Sequence, residues 1–535
     1  MLGGHANEPH LKASTEMRIL VLQQGSWARK FGIPLVDYLR KELPSAQFAA
    51  IIVNPVARID VENHDFPYAH LWDRSEVDDE VLSPDFDERH GHLSMAEIEQ
   101  DLDIESVWLR LIYSQRSLVY TPGIKHRYSW DQQVDDATAL NVVRSSYVTV
   151  KSIFEAWEPD IIITPNYVSL FHNCLYYYAK KRGVGMWRVN STRISGQYIL
   201  TDDNMHRLAS VVARFKRGDL SADSLEFAQD YIDRFRAEYI PPENYAILKK
   251  RQVESRIWPL AKRAVLKFYK IPRYLFYMWK RSINAEYPKL YRTIGNQPLL
   301  RQIRNHILQF YYTRRVHHLN YHSPREDETF VYYPLMYQPE ETGMLWAPYA
   351  NNQIEFARQI AMGLPSGMTL YVREHPAMIG RRSPRYYEKI IKTPNIKLIS
   401  PFYSNQKLLR SLNNKAVISL SGTTGFEAML VGKPILLFAD MFYDALPHCR
   451  KLTDLTEIPH AIKEMTGLNC GDQKFETALL EFIAAIKEES FDMGYASMWG
   501  LNQQGDKSVF FEAFANLIRK IEANRYEKNN ISAAE

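Results

Sequence analysis

The sequence predicts an α/β protein with two doubly wound domains and a helical, basic-aromatic insertion between them. Three observations predict it. Short apolar runs of strand length alternate with amphipathic stretches of helix length in both the first and the last part of the chain. That alternation is the rhythm of parallel sheets covered by helices. The chain has 535 residues, more than one core organises, and its middle loses the alternation and fills with Lys, Arg and aromatic residues.

The elements follow in order. Residues 1–16 have no apolar signal core and read as a disordered lead-in. Met17–Gln23 is a first buried strand, turned by Gly25-Ser26-Trp27 into an amphipathic helix over Ile33–Glu42. Phe48–Val53 is the second strand. Asp60–Glu105 is rich in Asp, Glu and His and poor in apolar residues, so it reads as an irregular insertion. Its carboxylates suit a solvated loop rather than a metal site, because no ligand spacing repeats. Ser106–Tyr113 and Asp135–Trp157 read as helices, Asp160–Thr164 as a strand, Leu170–Arg182 as a helix and Gly185–Val189 as a strand. The first domain is expected over 17–205.

Residues 206–325 form the next unit. Arg207–Ile240 is helical and amphipathic until Pro241-Pro242 breaks it. Lys249–Leu319 interleaves cations with Trp258, Phe268, Tyr269, Tyr277, Trp279, Phe310 and Tyr311. Such a stretch suits the surface of an anionic membrane. It equally suits a helical insertion with aromatics inside and cations in water. Nucleic acid is not expected as a partner. The 66 Lys and Arg against 62 Asp and Glu leave a charge of only +4, and no nucleic-acid motif accompanies them.

The second domain is expected over 326–470, followed by helices and a tail over 471–535. Phe330–Leu335, Thr369–Arg373, Asn395–Pro401, Ala416–Leu420 and Ile435–Phe438 read as strands. Trp346–Met362, Asn405–Ser411, Phe426–Val431, Leu455–Met465, Lys474–Glu489 and Val509–Arg525 read as helices. Met441–Arg450 reads as a segment that closes over a ligand, with Tyr443 available to stack on a base.

The loop Ser421, Gly422, Thr423, Thr424 and Gly425 leaves the carboxyl end of a strand and opens a helix. Unpaired N–H groups and the helix dipole favour an anion there, and glycines let a phosphate approach the backbone. An ordinary cap of Ser and Thr on a helix is the competing reading. The loop is neither a Walker loop nor a dinucleotide fingerprint. Its company favours the phosphate. His375, fixed by Pro376, ends the strand Thr369–Arg373, and Arg373 adds a charged donor. In a doubly wound sheet both motifs meet at the carboxyl edge.

VYYPLMYQPE, LYVREHP, NIKLISP and SLSGTTGFEAMLVGKPILLF together resemble the capsule and surface polysaccharide biosynthesis proteins. These are GT-B-like glycosyltransferases related to the β-Kdo transferases. The resemblance is dense over 330–445 and looser over 17–205. It implies two Rossmann-like domains facing a cleft, with the last helix crossing back to the first domain. It implies that His375, Ser421, Thr423 and Thr424 hold the donor phosphate, that Glu427 meets the ribose, and that Gln338 and Glu340 border the donor. The Gly25 loop would face the acceptor. The sequence departs from the pattern after Trp187-Arg188, where Asn190, Ser191 and Thr192 stand in place of an acidic step. The nearest carboxylates are Asp202 and Asp203, which also suit a plain turn. Arg193, on the acceptor side, suits a sugar carboxylate or a phosphate.

The expected function is a metal-independent glycosyltransferase using a nucleotide-sugar, CMP-sugar favoured, and a glycan or lipid-linked acceptor. No cofactor is expected, since the nucleotide-sugar is a substrate. A sugar-nucleotide epimerase, a CDP-polyol phosphotransferase and a non-catalytic assembly protein are the alternatives. The cysteines Cys174, Cys449 and Cys470 form no framework, which suits a reducing cytoplasm at the inner face of the cell membrane.

Overall fold

The computed structural model describes residues 16–74, 80–119, 134–240, 299–338, 340, 342–468 and 471–534. The expected lead-in over 1–15 and most of the basic-aromatic insertion, 249–298, lie outside the described residues.

Aliphatic runs buried on both faces make strands that need cover on both sides. In the first domain these are β1 (Arg18–Gln23), β2 (Gln47–Ile52), β3 (His70–Asp73), β4 (Ile161–Ile163), β5 (Gly185–Ser191) and β6 (Gln197–Thr201). In the second they are β7 (Thr329–Pro334), β8 (Met368–Arg373), β9 (Ile396–Ile399), β10 (Asn414–Ser419), β11 (Ile435–Leu437) and β12 (Cys449–Lys451). A last short strand, β13 (Phe491–Asp492), belongs to the first sheet.

The first sheet has the order β13-β6-β5-β4-β1-β2-β3, and the second β12-β11-β10-β7-β8-β9. The second is parallel throughout. In the first, β6 and β13 are antiparallel additions. Counted from its own first strand, each domain reads 3-2-1-4-5-6, with β13 added beyond the sixth in the first. The order reverses between β1 and β4, and again between β7 and β10. At a reversal the loops part to opposite faces and open a crevice at the carboxyl ends.

Alternation along β1 sends Leu20 and Leu22 to one core and Ile19 and Val21 to the other. The second sheet has its own core. Helix Gln473–Glu489 packs on Ala209–Arg217 and Ala222–Ala237. Helix Ser508–Ala534 then returns to the first domain, with Phe510, Phe514 and Ile518 buried beside Phe31 and Leu35.

Three local expectations are corrected, and the stretch Asn190–Thr201 gains an assignment. Asp60–Glu105 is ordered where described: His70–Asp73 pairs as an edge strand, and Ser94 and Glu97 form a capping box on the helix Met95–Leu102. Two buried residues at helical spacing, Ile98 and Leu102, anchor that helix despite the acidic composition. The helix expected from Trp346 starts only at Gln353, because Pro348 holds a 3-10 turn before it. Asn190–Thr201 is a hairpin of β5 and β6, with Arg188 paired to Thr201. Met441–Arg450 is no closing segment: Phe442 and Tyr443 are buried, and Cys449–Lys451 is a strand.

Candidate active site

β10 ends at Ser419, and the chain turns through Ser421 and Gly422 into the helix Thr423–Leu430. The helix begins earlier than the expected Phe426, so both threonines sit in its first turn. Gly422 is the N-cap, in extended conformation, and no side chain caps the helix. The Gly422 N–H donates to Ser419 Oγ at 3.2 Å and the Gly425 N–H to the Gly422 carbonyl at 3.3 Å, which leaves the N–H groups of Thr423 and Thr424 to carry the partial positive charge at the carboxyl edge of the sheet. Thr423 and Thr424 are half-buried there. Ser421 is corrected to a supporting role. It is fully buried, with its hydroxyl on Met336 Sδ at 3.7 Å.

The loop is braced from behind. Tyr443 is 0 % exposed, and its hydroxyl donates to the Gly422 carbonyl at 3.4 Å. The expected stacking of a base on Tyr443 is therefore corrected, since no face of the ring is open. Gly425 answers to the same tyrosine: a Cβ there would stand 2.5 Å from the hydroxyl.

β7 lies between β10 and β8. His375, at the end of β8, is thus two strand spacings, about 10 Å, from β10. Residues after β7 fill the gap, with Met336 on Ser421 and the Tyr337 ring 5.8 Å from the imidazole. Arg381 Nη1 donates to the Tyr337 hydroxyl at 2.6 Å. The Ala377 N–H donates to His375 Nδ1 at 3.1 Å. An accepting Nδ1 puts the ring proton on Nε2, so the neutral ring presents one donor. Burial first, then the charges of Arg373, Arg382 and Arg381, push this histidine down to about 4. It is neutral at pH 7.

Three further expectations change on burial and partners. Arg373 donates from Nε to the Tyr403 carbonyl at 3.0 Å and from Nη2 to Pro401 at 2.9 Å. These two donors fasten the loop after β9. Its charge still acts on both His375 and Glu427, so it stands between the two motifs. Glu427 is buried and accepts from Tyr239 Oη (3.0 Å), Asn405 Nδ2 (3.0 Å) and Gln406 Nε2 (3.1 Å). With both oxygens occupied it braces the helix and does not meet a ribose. Burial pushes its carboxyl up to about 7. Gln338 is buried too. Its Nε2 donates to the Asn351 carbonyl (2.8 Å) and Oδ1 (2.7 Å), and its Oε1 accepts from Arg382 Nη2 at 2.9 Å. Glu340 is exposed on the following loop, where its carbonyl accepts from Gly343 and Met344.

The centre of this frame is an ion pair that sequence reading missed. Arg382 Nη1 donates to Glu374 Oε2 at 2.7 Å, and both side chains are buried. Arg382 Nη2 also donates to the Met336 carbonyl at 2.8 Å, and the Tyr387 hydroxyl donates to Glu374 at 2.9 Å. The pair ties the ends of β7 and β8 together. The signal was present as the acid inside Arg373-Glu374-His375 and the doubled arginine after Gly380.

The first domain presents a different crevice. Gly25 has φ +49°, a conformation that favours glycine. Its N–H donates to Asn54 Oδ1 at 3.1 Å. The same oxygen accepts from Ala57 and caps the helix Pro55–Glu62. Asn166 Nδ2 donates to Gln24 Oε1 at 3.1 Å across the reversal point. Asp203 Oδ1 accepts from the Met205 N–H at 2.7 Å, the local turn its sequence suits. Burial raises the Asp203 carboxyl, opposed by the charge of Arg188. Asp202 beside it is exposed.

Arg193 has φ +72° at the tip of the β5–β6 hairpin. Its neighbour Ile194 is buried in the second domain's core, and the Arg193 charge acts on Tyr443. Arg193 is thereby moved from the acceptor side to the side of the phosphate loop. Trp346 Nε1 donates to the Asn204 carbonyl at 2.9 Å, and the Phe442 N–H to His206 at 2.9 Å. These contacts turn the carboxyl edge of the second sheet toward the first domain. Among the described residues no group of three or more His, Cys, Asp or Glu is placed to hold a metal ion.

No family model matches the sequence, and no curated protein matches it. Among solved structures, KpsC of Thermosulfurimonas dismutans, a β-Kdo 2,7 transferase, is 12% identical; 66% of this chain and 88% of that one are covered, with a TM-score of 0.33. The UDP-GlcNAc 2-epimerase of Methanocaldococcus jannaschii is 11% identical over 88% of this chain and 99% of that one, with a TM-score of 0.22. The N-terminal domain of Candida albicans trehalose-6-phosphate phosphatase is 9% identical over 97% and 99%, with a TM-score of 0.30. Likenesses at this level assign no activity. The two strand orders themselves give the fold, which is a pair of Rossmann-like domains.

Proposed function

We propose that this chain is a glycosyltransferase of surface polysaccharide synthesis, using a nucleotide-sugar with a cytidine nucleotide favoured. One observation carries the reading: the uncapped helix Thr423–Leu430 opens at the strand-order reversal, on the same edge as an imidazole whose Nδ1 is already occupied. The Thr423 and Thr424 N–H groups and His375 Nε2–H donate, and the two threonine hydroxyls can donate beside them, which suits a phosphate. The resemblance of the motifs to the polysaccharide enzymes supports the donor class and a glycan or lipid-linked acceptor.

In the reaction, the bond between the anomeric carbon and the phosphate oxygen breaks while an acceptor hydroxyl bonds to that carbon. The phosphate leaves with the electron pair and is stabilised by the helix terminus and His375. Asp203 takes the acceptor's proton; its raised carboxyl brings it nearer the range a general base needs. No step calls for a metal, so turnover is expected to survive EDTA.

The test is a thermal-shift panel of CMP, CDP, UMP, UDP and GDP on the wild type, His375→Ala and Thr423→Ala. At least one nucleotide should raise the wild-type melting temperature, and both variants should lose that rise. Equal shifts in all three proteins would sink the donor site. Release of free product without acceptor would point to the epimerase instead.

A further inference from the structure

The helix Leu299–His317 carries Arg304, Arg314 and Arg315 and has no Asp or Glu anywhere along it. One side of it is fixed to the second domain. Val316 is fully buried, and Thr313 packs so closely on Gly380 that a Cβ at Gly380 would collide with its hydroxyl. Gly380 belongs to the loop that His375 opens, so the helix lies along the flank of the candidate site.

The other side is open among the described residues. Ile307 is 62 % exposed, Tyr311 49 % and Phe310 41 %. At 100° per residue these three fall on one face, opposite Val316. Arg304, Arg314 and Arg315 are exposed around them. Exposed apolar residues grouped on one face and rimmed by cations are unusual on a surface that meets only water.

We propose that this face docks the protein on an anionic bilayer. Ile307, Phe310 and Tyr311 would enter the boundary between headgroups and acyl chains, and the arginines would meet lipid phosphates. Charge complementarity alone would admit RNA as well. The bilayer is favoured by Ile307, the most exposed of the three, which offers a nucleic acid neither charge nor a ring to stack on. Docking here would hold the crevice beside His375 close to the membrane surface, where a lipid-linked acceptor lies. The face does not depend on the nucleotide reading.

Co-sedimentation of the full chain with phosphatidylcholine vesicles, with and without phosphatidylglycerol, tests this. Binding is expected only with phosphatidylglycerol and should weaken as salt rises. Ile307→Ser with Phe310→Ser should cut partitioning by about tenfold. Arg304→Gln and Arg315→Gln should each cut it by about fivefold. Melting temperatures without vesicles should not move, since these side chains are exposed. Absence of binding to anionic vesicles would overturn the proposal, as would unchanged binding by the serine variant. So would a lower melting temperature of that variant in plain buffer, which would mean that the chain's own residues 241–298 cover the face. RNA that competes vesicles off would overturn it equally.

Discussion

The two strand-order reversals are built alike and finished differently. In the first domain, Asn54 spends one side-chain oxygen on both the Gly25 and Ala57 N–H groups, and Asn166 and Gln24 close the gap with an amide-to-amide bond. In the second, Gly422 offers the helix Thr423–Leu430 no side-chain cap, and the neighbouring ends of β7 and β8 are held by a buried ion pair. Topology supplies a crevice in both cases. Capping decides what the crevice accepts. Amides that both donate and accept suit the hydroxyls of a neutral glycan, whereas bare donors suit an anion.

The largest expected effect comes from the supports. Arg382→Ala strands the buried Glu374 carboxylate and should cost about 3–5 kcal/mol. The matching change in the first domain, Asn54→Ala, removes a helix cap and should cost about 1 kcal/mol. Urea unfolding of the two variants measures both. Equal losses would mean that the two crevices do not differ in how they are held.

These supports also show how far the sequence could be read. The strands at both reversals were legible because they are short, apolar and bounded by Gly or Pro. His375-Pro376 and the Ser421–Gly425 loop were legible because their chemistry lies in the backbone: a fixed imidazole at a strand end, and a helix start without a cap. What lay hidden was burial. Gln338, Glu427 and Tyr443 carry groups that suit a nucleotide, yet each is enclosed and turned to a protein partner. Glu374 and Arg382 meet because the loop after β8 folds back on the strand end, and their charges alone, eight positions apart, did not say that both would be buried. The strands β3, β6 and β13 were missed for a related reason. β3 and β13 are short edge strands made by their pairing partners, and β6 is an internal antiparallel strand reached only through the tight hairpin after β5.

A middle-sized effect probes the loop itself. Gly425→Ala places a methyl against the Tyr443 hydroxyl and should cost about 1–3 kcal/mol by overpacking. Adding Tyr443→Phe removes the obstructing oxygen, so the double variant should recover part of the loss. A cycle of melts across the four proteins measures the coupling. Independent, additive losses would show that the glycine answers to something other than the tyrosine. No such pair exists at Gly25, where a Cβ would be 3.6 Å from Asn54 Nδ2 and the left-handed φ alone selects glycine.

The smallest effect at neutral pH is a difference in slope at the second domain's crevice, since the amides that finish the first do not titrate. His375 is pushed down from 6.5 to about 4. Its stabilising share is whole above pH 6.5 and is lost as the pH falls toward 4. Glu427 is pushed up from 4.5 to about 7. Its share is whole below pH 4.5 and is lost as the pH rises toward 7. The two windows overlap and the slopes oppose, each at most about 1.4 kcal/mol per pH unit. In the wild type they largely cancel. His375→Gln removes the histidine's slope and leaves the glutamate's, so its melting temperature should fall relative to wild type between pH 4 and 6.5. Glu427→Gln keeps the shape, since its amide can donate to the Tyr239 hydroxyl and accept from Asn405. It removes the glutamate's slope and leaves the histidine's, so its melting temperature should rise relative to wild type between pH 4.5 and 7. His172 and His206, which burial also pushes down, are common to all three proteins and subtract out. Variants whose difference curves slope the same way would show that the two groups do not oppose each other.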